Sequence, residues 1–365
     1  MKNVRKNGLS DFQLVAVTFV AASGVSTIFL PRTVAEGAGR DGWIGIILAG
    51  LVALTLAGLI YLLCRRFPRR ILPEFSMLIL GKPLGILVSA VYIIYTLLLS
   101  GTNLMLFVEV SKTWAMFWTP QWFLIAMLLV PVLYIVRQGP VPLGRLTELI
   151  FYSIMVVGAL LLMPLPQFNM MNLRPLGDEG ITVIARAAGQ TTLAFLGFEV
   201  LLVFFPLTIK RQGVLRLYLL AVALLIAFFT SITLLTFGVL GVEYTRLQVW
   251  PLMIYLGAGR MQVIERLDNL FLFLWIAKII GLVALQYYAA VITGALITGK
   301  RHFDLWILLL FPVLYGIAYL PGQHYVVFQF ANLVGSWGAV FVAGLVLLLF
   351  LVALIRGIDE SEETG

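Results

Sequence analysis

Ala22-Ser23-Gly24-Val25-Ser26 interrupts an apolar run near its middle, and the reading of the chain turns on it. Residues 12–21 before it are apolar and helix-like; residues 27–35 after it resume the apolar pattern, with Pro31 inside. In hydrocarbon, unpaired backbone groups cost several kcal/mol each, so a broken helix survives only where it lines a cavity or is covered by protein. A second interruption, Phe195-Leu196-Gly197-Phe198-Glu199, lies within the apolar span 181–206. Interrupted spans at corresponding places in two halves point to the binding site of a secondary transporter. The plainer alternative is that Gly24 and Gly197 only let neighbouring helices approach, since Gly is common in membrane helices. The pairing of the two breaks, and the Glu beside Gly197, favour the functional reading.

The composition agrees. Of 365 residues, 61% are hydrophobic and 12% charged, with a mean hydropathy of +1.04; a soluble domain runs about 45–50% apolar and about 25% charged. The chain is read as a polytopic protein of the lipid bilayer with no room for a large soluble domain. Its net charge of +8 does not point to nucleic acid, because most basic residues sit in short loops where they set orientation. The single cysteine, Cys64, excludes an intramolecular disulfide and a cysteine zinc cluster. It abuts Arg65 and Arg66 at a membrane edge, where it is either inert or reversibly acylated. The N-terminus does not read as a cleaved signal.

Runs of roughly 20 apolar residues predict an all-α protein of about ten transmembrane helices, over 12–35, 42–64, 84–109, 120–136, 146–165, 181–206, 217–240, 268–293, 304–320 and 331–355. With the N-terminus inside, sixteen of the 25 Lys and Arg residues fall in inner segments and nine elsewhere, which predicts both termini to be cytoplasmic. Residues 1–365 are read as one transporter-like domain of two repeats, about 12–165 and 181–355. Five spans per half make the second half enter from the opposite side, an inverted repeat. It is inferred from topology, not from residue similarity, and the first span of each half carries the break. In the loops, short helices are expected over 74–80 and over 252–256, the latter started by Trp250-Pro251. The long loop 241–269 would lid an outer vestibule, and 164–180 is expected to be irregular.

The chemistry is placed at the breaks. A half-helix beginning in mid-membrane presents free N–H groups and a positive dipole end to a carboxylate. Ser23, Gly24, Val25, Ser26 and Thr27 are the candidates. Carbonyls near Ala194 and Phe195 would accept an ammonium group. Glu199, deep in its span, marks function by default: it would bind an amine, carry a proton, or pair with a cation. Lys278, midway along the eighth span, is either a fixed ammonium in the place of a coupling cation or a structural counter-ion such as Glu199 would need. Weaker candidates are Tyr92, Tyr95, Thr96, Asn103, Gln286, Tyr287 and Tyr288, since aromatics in membrane helices more often serve packing. Arg32 and Glu36 are spaced to pair at i,i+4, and Glu148 reads as interfacial. His302 and His324 are isolated, so no metal is assigned. The chain lacks a phosphate-binding Gly-x-x-x-x-Gly-Lys-[Ser/Thr] loop, His-Glu-x-x-His and Gly-x-Ser-x-Gly, which argues against ATP-driven transport and hydrolysis. No cofactor is expected.

Four segments carry a family resemblance: Leu9-Ser10-Asp11-Phe12-Gln13-Leu14, Phe29-Leu30-Pro31-Arg32, Ala38-Gly39-Arg40-Asp41-Gly42-Trp43 and Gly81-Lys82-Pro83-Leu84-Gly85. With the span count and short loops, they resemble the B subunit of bacterial endospore germinant receptors, within the amino acid–polyamine–organocation superfamily. The resemblance implies a leucine-transporter-like fold with broken helices 1 and 6. It implies a spore inner-membrane receptor for a small nutrient, often an amino acid, assembled with an A subunit and a lipoprotein C subunit. By position, Ser23, Gly24, Val25, Ser26 and Thr27 match the first break, and Phe195, Gly197, Phe198 and Glu199 the second. Tyr95 and Tyr288 would be added by helices 3 and 8. Glu199 and Lys278 match no family motif and rest on the intramembrane-charge argument.

The favoured expectation is a germinant sensor that passes a conformational change to partner subunits. Second is a proton-coupled amino-acid or amine transporter of the bacterial cell membrane. Third is a scaffold subunit with a degenerate site.

Overall fold

The computed structural model describes residues 8–175, 177–209, 213–259, 267–299, 303–320 and 324–360. Several loop cations of the orientation argument (Lys2, Arg5, Lys6, Lys210, Arg211, Arg260, Arg266, Lys300 and Arg301), together with His302 and the tail acids Glu362 and Glu363, lie outside the described residues.

The described chain is helical apart from one isolated bridge. α1 (Asp11–Ala22) opens on a capping box, with the Ser10 hydroxyl and the Gln13 amide oxygen each accepting the other residue's backbone N–H. After the break, α2 (Leu30–Ala38) carries Pro31 in its first turn, where a missing N–H costs nothing. α3 (Gly42–Arg66) ends on Arg65 and Arg66, cations that suit a helix C-terminus. α4 (Leu72–Leu80) and α5 (Lys82–Trp114) follow; α5, at 33 residues, is about 50 Å long. α6 (Gln121–Gln138) and α7 (Pro140–Leu160) meet at Gly139, whose φ of 91° makes the turn. The second broken span comprises α8 (Ile181–Gln190), α9 (Thr192–Phe195) and α10 (Leu201–Phe204). Then come α11 (Val214–Leu240), α12 (Val242–Leu247), α13 (Pro251–Ala258), α14 (Leu267–Ile297), α15 (Phe303–Tyr319) and α16 (His324–Ile355). The expected loop helices are present and slightly longer than their sequence limits.

Among the described residues seven helices are long and apolar enough to cross a membrane, or eight if the pair Ile181–Gln190 and Thr192–Leu207, bent by 53°, is one span. Asp11–Ala22 and Phe303–Tyr319 are shorter apolar helices. The sequence reading expects ten, and one source of the difference is the run Leu30–Arg66, which counts as a single 37-residue helix by length. It is not straight. A Cβ on Gly42 would lie 2.4 Å from the Val34 carbonyl oxygen, whereas eight residues of straight helix span about 12 Å. The chain folds back there, so α2 and α3 are separate elements.

The packing respects an exchange of halves. At the centre α5 lies along α14. Around them α6 packs on α14 as α15 does on α5; α1 on α11 as α8 on α3; α1 on α7 as α9 on α16; and α7 on α14 as α16 on α5. Every one of these contacts has its counterpart when the elements α1–α7 are exchanged for α8–α16, as a repeat of the two halves requires.

Two ties close one face of the molecule. Leu9 pairs in parallel with Thr208, its N–H 2.8 Å from the Leu207 oxygen and its carbonyl 3.1 Å from the Ile209 nitrogen. Its side chain fills a notch at Gly144, and Gln13 donates to Glu148 Oε2 at 2.9 Å. At the other terminus Arg70 pairs with Glu360 at 2.6 Å, and the Glu360 N–H donates to the Arg66 carbonyl at 3.0 Å.

Candidate functional site

α1 stops at Ser23 (φ −83°, ψ 77°), Gly24 is extended (φ −70°, ψ −179°), and a tight turn over Val25–Ile28 leads to α2. The groups released by the break are taken up by neighbouring helices. The Val25 N–H donates to Asn103 Oδ1 at 2.9 Å, and Asn103 Nδ2 donates to the Leu99 carbonyl at 2.9 Å, which fixes the amide. The Gly24 carbonyl accepts from Thr27 Oγ1 at 2.8 Å and from Lys278 Nζ at 3.2 Å. The Ala21 carbonyl accepts from Gln286 Nε2 at 3.3 Å. Lys278 is 0% exposed, and its ammonium lies 4.1 Å from the centre of the Trp275 ring, a cation–π contact. Three polar atoms of these residues remain buried without a partner, Ser26 Oγ, Gln286 Oε1 and Trp275 Nε1. A buried unsatisfied polar atom is costly and needs an explanation.

The second break follows Phe195. Leu196 is extended and Gly197 takes φ 118°, ψ −22°. A Cβ on Gly197 would lie 2.1 Å from the Ala21 carbonyl oxygen and 2.9 Å from Ala22 Cα, so both the dihedral and the space demand glycine. The two breaks are in backbone contact. Glu199, 2% exposed, is held from both sides: the Tyr95 hydroxyl donates to Oε1 at 2.7 Å and the Gly197 N–H to Oε2 at 2.8 Å. Tyr218 donates to the Phe198 carbonyl at 2.8 Å. No salt bridge joins Glu199 to Lys278 or either of them to another described residue.

Beyond Phe29 a cavity of about 850 Å³ opens, lined by α2, the end of α5, α8, α9, α16 and the Val249-Trp250 step before α13. Its floor is a ring cluster, with Phe29 5.2 Å from Phe328 and 6.2 Å from Trp250, and Trp250 5.3 Å from Phe328. Neither the first break nor Glu199 contributes to its lining.

Residues 8–325 match a family model described as spore germination protein. The chain belongs to that family. Among characterised relatives, spore germination protein YndE of Bacillus subtilis (strain 168) is 28% identical over 343 residues, 93% of each chain. Spore germination protein KB of the same organism is 28% identical over 310 residues, 82% of this chain and 81% of its own. Among solved structures, Mhp1, a nucleobase-cation-symport-1 family transporter in a closed conformation with bromovinylhydantoin bound, superposes with a TM-score of 0.64 at 13% identity, over 90% of this chain and 75% of its own. MhsT in complex with L-phenylalanine gives 0.58 at 16% identity, over 94% and 97%. At these identities the likeness is one of fold, and it is the leucine-transporter-like fold that the resemblance implied. This spore germination protein is thus an integral membrane protein with a transporter fold.

Within it, Ser23, Gly24, Val25, Ser26 and Thr27 are all buried at the first break, and Phe195, Gly197, Phe198 and Glu199 at the second. Tyr95 reaches Glu199, and Lys278 reaches Gly24 rather than Glu199. Phe195 packs edge-on against Phe229 at 5.2 Å. Tyr288 stands apart: it packs on Phe204 and Phe303, at 5.5 and 6.1 Å. It lies two residues past Gln286, about 200° round α14, so when Gln286 faces α1 its neighbour but one faces away. Glu148, expected to be interfacial, is bonded to Gln13. Among the described residues no three His, Cys, Asp or Glu gather as a metal site would require. Tyr218, Trp275 and the vestibule residues Gln190, Trp250, Phe328 and Asn332 were not singled out as site residues from the sequence. Only Trp275 carried a signal, its spacing of three from Lys278 along one helix.

Proposed function

We propose that this chain is a germinant-receptor subunit that binds a small amino acid between the two breaks and signals to partner subunits. The observation that carries it is the backbone contact of the breaks at Gly197 and Ala21, with an unpartnered Ser26 hydroxyl on one side and the Glu199 carboxylate on the other. Ser26 and the start of the turn at Val25 would take the ligand carboxylate. Glu199 would take the ammonium: a carboxylate has about four acceptor positions, and Tyr95 and Gly197 use two. Phe195 and Phe198 would bound the side chain. Binding would shift α1 relative to α8–α10, and differential affinity for the shifted arrangement is what signals. The partners in this reading are a larger A subunit and a lipoprotein C subunit, the site is the spore inner membrane, and both termini face the cytoplasm. Lys278 ties the first break to α14 as a bound cation would, so ligand binding is expected without sodium.

The second reading, a proton-coupled transporter, is favoured by the same two buried ionisable groups, which do not neutralise each other. One experiment separates them. Labelled amino acids are bound to the purified chain, with and without sodium, and offered to proteoliposomes with and without a pH gradient. Saturable binding without accumulation is expected; gradient-driven accumulation would make the chain a transporter. Neither, with germination lost on deletion, would leave a scaffold. Gly24→Leu brings a side chain onto Asn103 Oδ1, 2.6 Å from the Cβ position, and is expected to abolish binding while the protein still accumulates in membranes. Normal ligand response in that variant would sink the site assignment.

A further inference from the structure

The 850 Å³ vestibule is not part of the site at the breaks. It is of the size of small-molecule sites, roughly 300–1,000 Å³, and closed below by Phe29, Trp250 and Phe328. Its two long walls are single helix faces. Phe29, Arg32, Thr33 and Glu36 recur at helical spacing from the start of α2, as Phe328, Asn332, Gly335 and Ser336 do on α16. From the geometry we infer that this vestibule is a second, separate binding site for a free α-amino acid, which recognises the zwitterion before the aromatic floor opens.

The chemistry follows from the charged pair on its wall. Arg32 Nε donates to Glu36 Oε1 at 2.8 Å, with side chains 32% and 46% exposed. That bond uses one guanidinium N–H and one carboxylate oxygen. The terminal guanidinium nitrogens and Oε2 are left for a ligand, and these are a carboxylate receptor and an ammonium receptor side by side. An α-amino acid carries the complementary charges at the same close spacing. Its side chain would meet Trp250 and Phe328 below, with the Asn332 amide and the Ser336 hydroxyl at the rim. A dicarboxylate would oppose Glu36 and a diamine Arg32, so the pair selects against both. An exposed ion pair contributes little to stability, so its substitution leaves the fold intact.

The test uses the full chain in nanodiscs on a Cys64→Ala background, with Ser336→Cys or, on the facing wall, Thr33→Cys as reporter. Labelling by a cationic methanethiosulfonate is timed against each proteinogenic L-amino acid at millimolar concentration. At least one is expected to slow labelling, whereas its methyl ester and N-acetyl derivatives do not. Arg32→Gln or Glu36→Gln is expected to weaken that protection about tenfold or more, the scale of one charge-assisted hydrogen bond. Protection should survive Gly24→Leu. The proposal is overturned if no amino acid protects, if protection persists in both Arg32→Gln and Glu36→Gln, or if Gly24→Leu removes it. Failure of the site at the breaks reads differently, as saturable binding that Gly24→Leu leaves untouched.

Discussion

Gly197 is the residue on which the meeting of the two interrupted helices depends. Its φ of 118° is one that L side chains rarely adopt, and a methyl there would sit 2.1 Å from the Ala21 carbonyl oxygen. Backbone strain of this kind costs about 1–3 kcal/mol, and the contact with α1 backbone cannot be relieved by a side-chain rotation. Gly197→Ala is therefore expected to lose about 2 kcal/mol or more in an SDS unfolding titration and to lose ligand binding. Gly344→Ala is the control: nothing lies within 4 Å of the methyl it would add on α16. Equal stability of the two variants would mean that the breaks do not bear on each other. Glu199 and Lys278 are legible in a sequence because an ionisable residue is out of place in a membrane span, and Gly197 because it precedes one of them by two residues. Their partners are not. Tyr218 on the Phe198 carbonyl is one apolar-looking aromatic among 13 tyrosines until the fold brings it there.

At the scale of elements, the first break was legible because three small or hydroxylated residues follow one another, and α13 because Trp-Pro opens it. The bend at Thr191 was not, since nothing in Gln190-Thr191-Thr192 departs from a helix that is merely less apolar. Nor was the pairing of Leu9 with Thr208, a single bridge with no strand pattern around it. Yet that bridge joins the start of one broken span to the end of the other. Leu9 is held in a notch that exists because residue 144 has no side chain: a Cβ there would lie 2.2 Å from Leu9 Cδ2. Gly144→Leu should fill the notch and expel Leu9, which also loses its burial, worth about 2–3 kcal/mol for such a side chain. The expected result is faster amide exchange at Leu9 and Ile209, read by hydrogen–deuterium exchange mass spectrometry. Unchanged protection at both would show that the bridge holds without the notch.

For the whole molecule, the same two terminal ties constrain how often the chain crosses the membrane. Leu9 is bonded to Leu207 and Ile209, so residues 9 and 208 share a face and an even number of crossings separates them. By length and apolarity that interval holds five: Leu30–Arg66, α5, α6, α7 and the bent pair. Evenness is restored by dividing the first run where Gly42 folds back on Val34, with α1 and α2 making one crossing and α3 another. Glu360 is bonded to Arg66 and Arg70, so the interval from 66 to 360 is even too. It holds seven long spans, α5, α6, α7, the bent pair, α11, α14 and α16, and becomes even when α15, 17 residues and about 25 Å long, also crosses. Ten crossings are then expected, with Leu9 and Glu360 on the face of the Arg65–Arg70 loop. Single cysteines on a Cys64→Ala background test it with a membrane-impermeant maleimide on intact cells. Trp118→Cys and Leu320→Cys, at positions 97% and 77% exposed, are expected to react, and Arg69→Cys and Gln138→Cys only after permeabilisation. The decisive position is 320. Labelling there only in permeabilised cells would mean that α15 does not cross, and the tail could then reach Arg66 only if another span failed to cross as well.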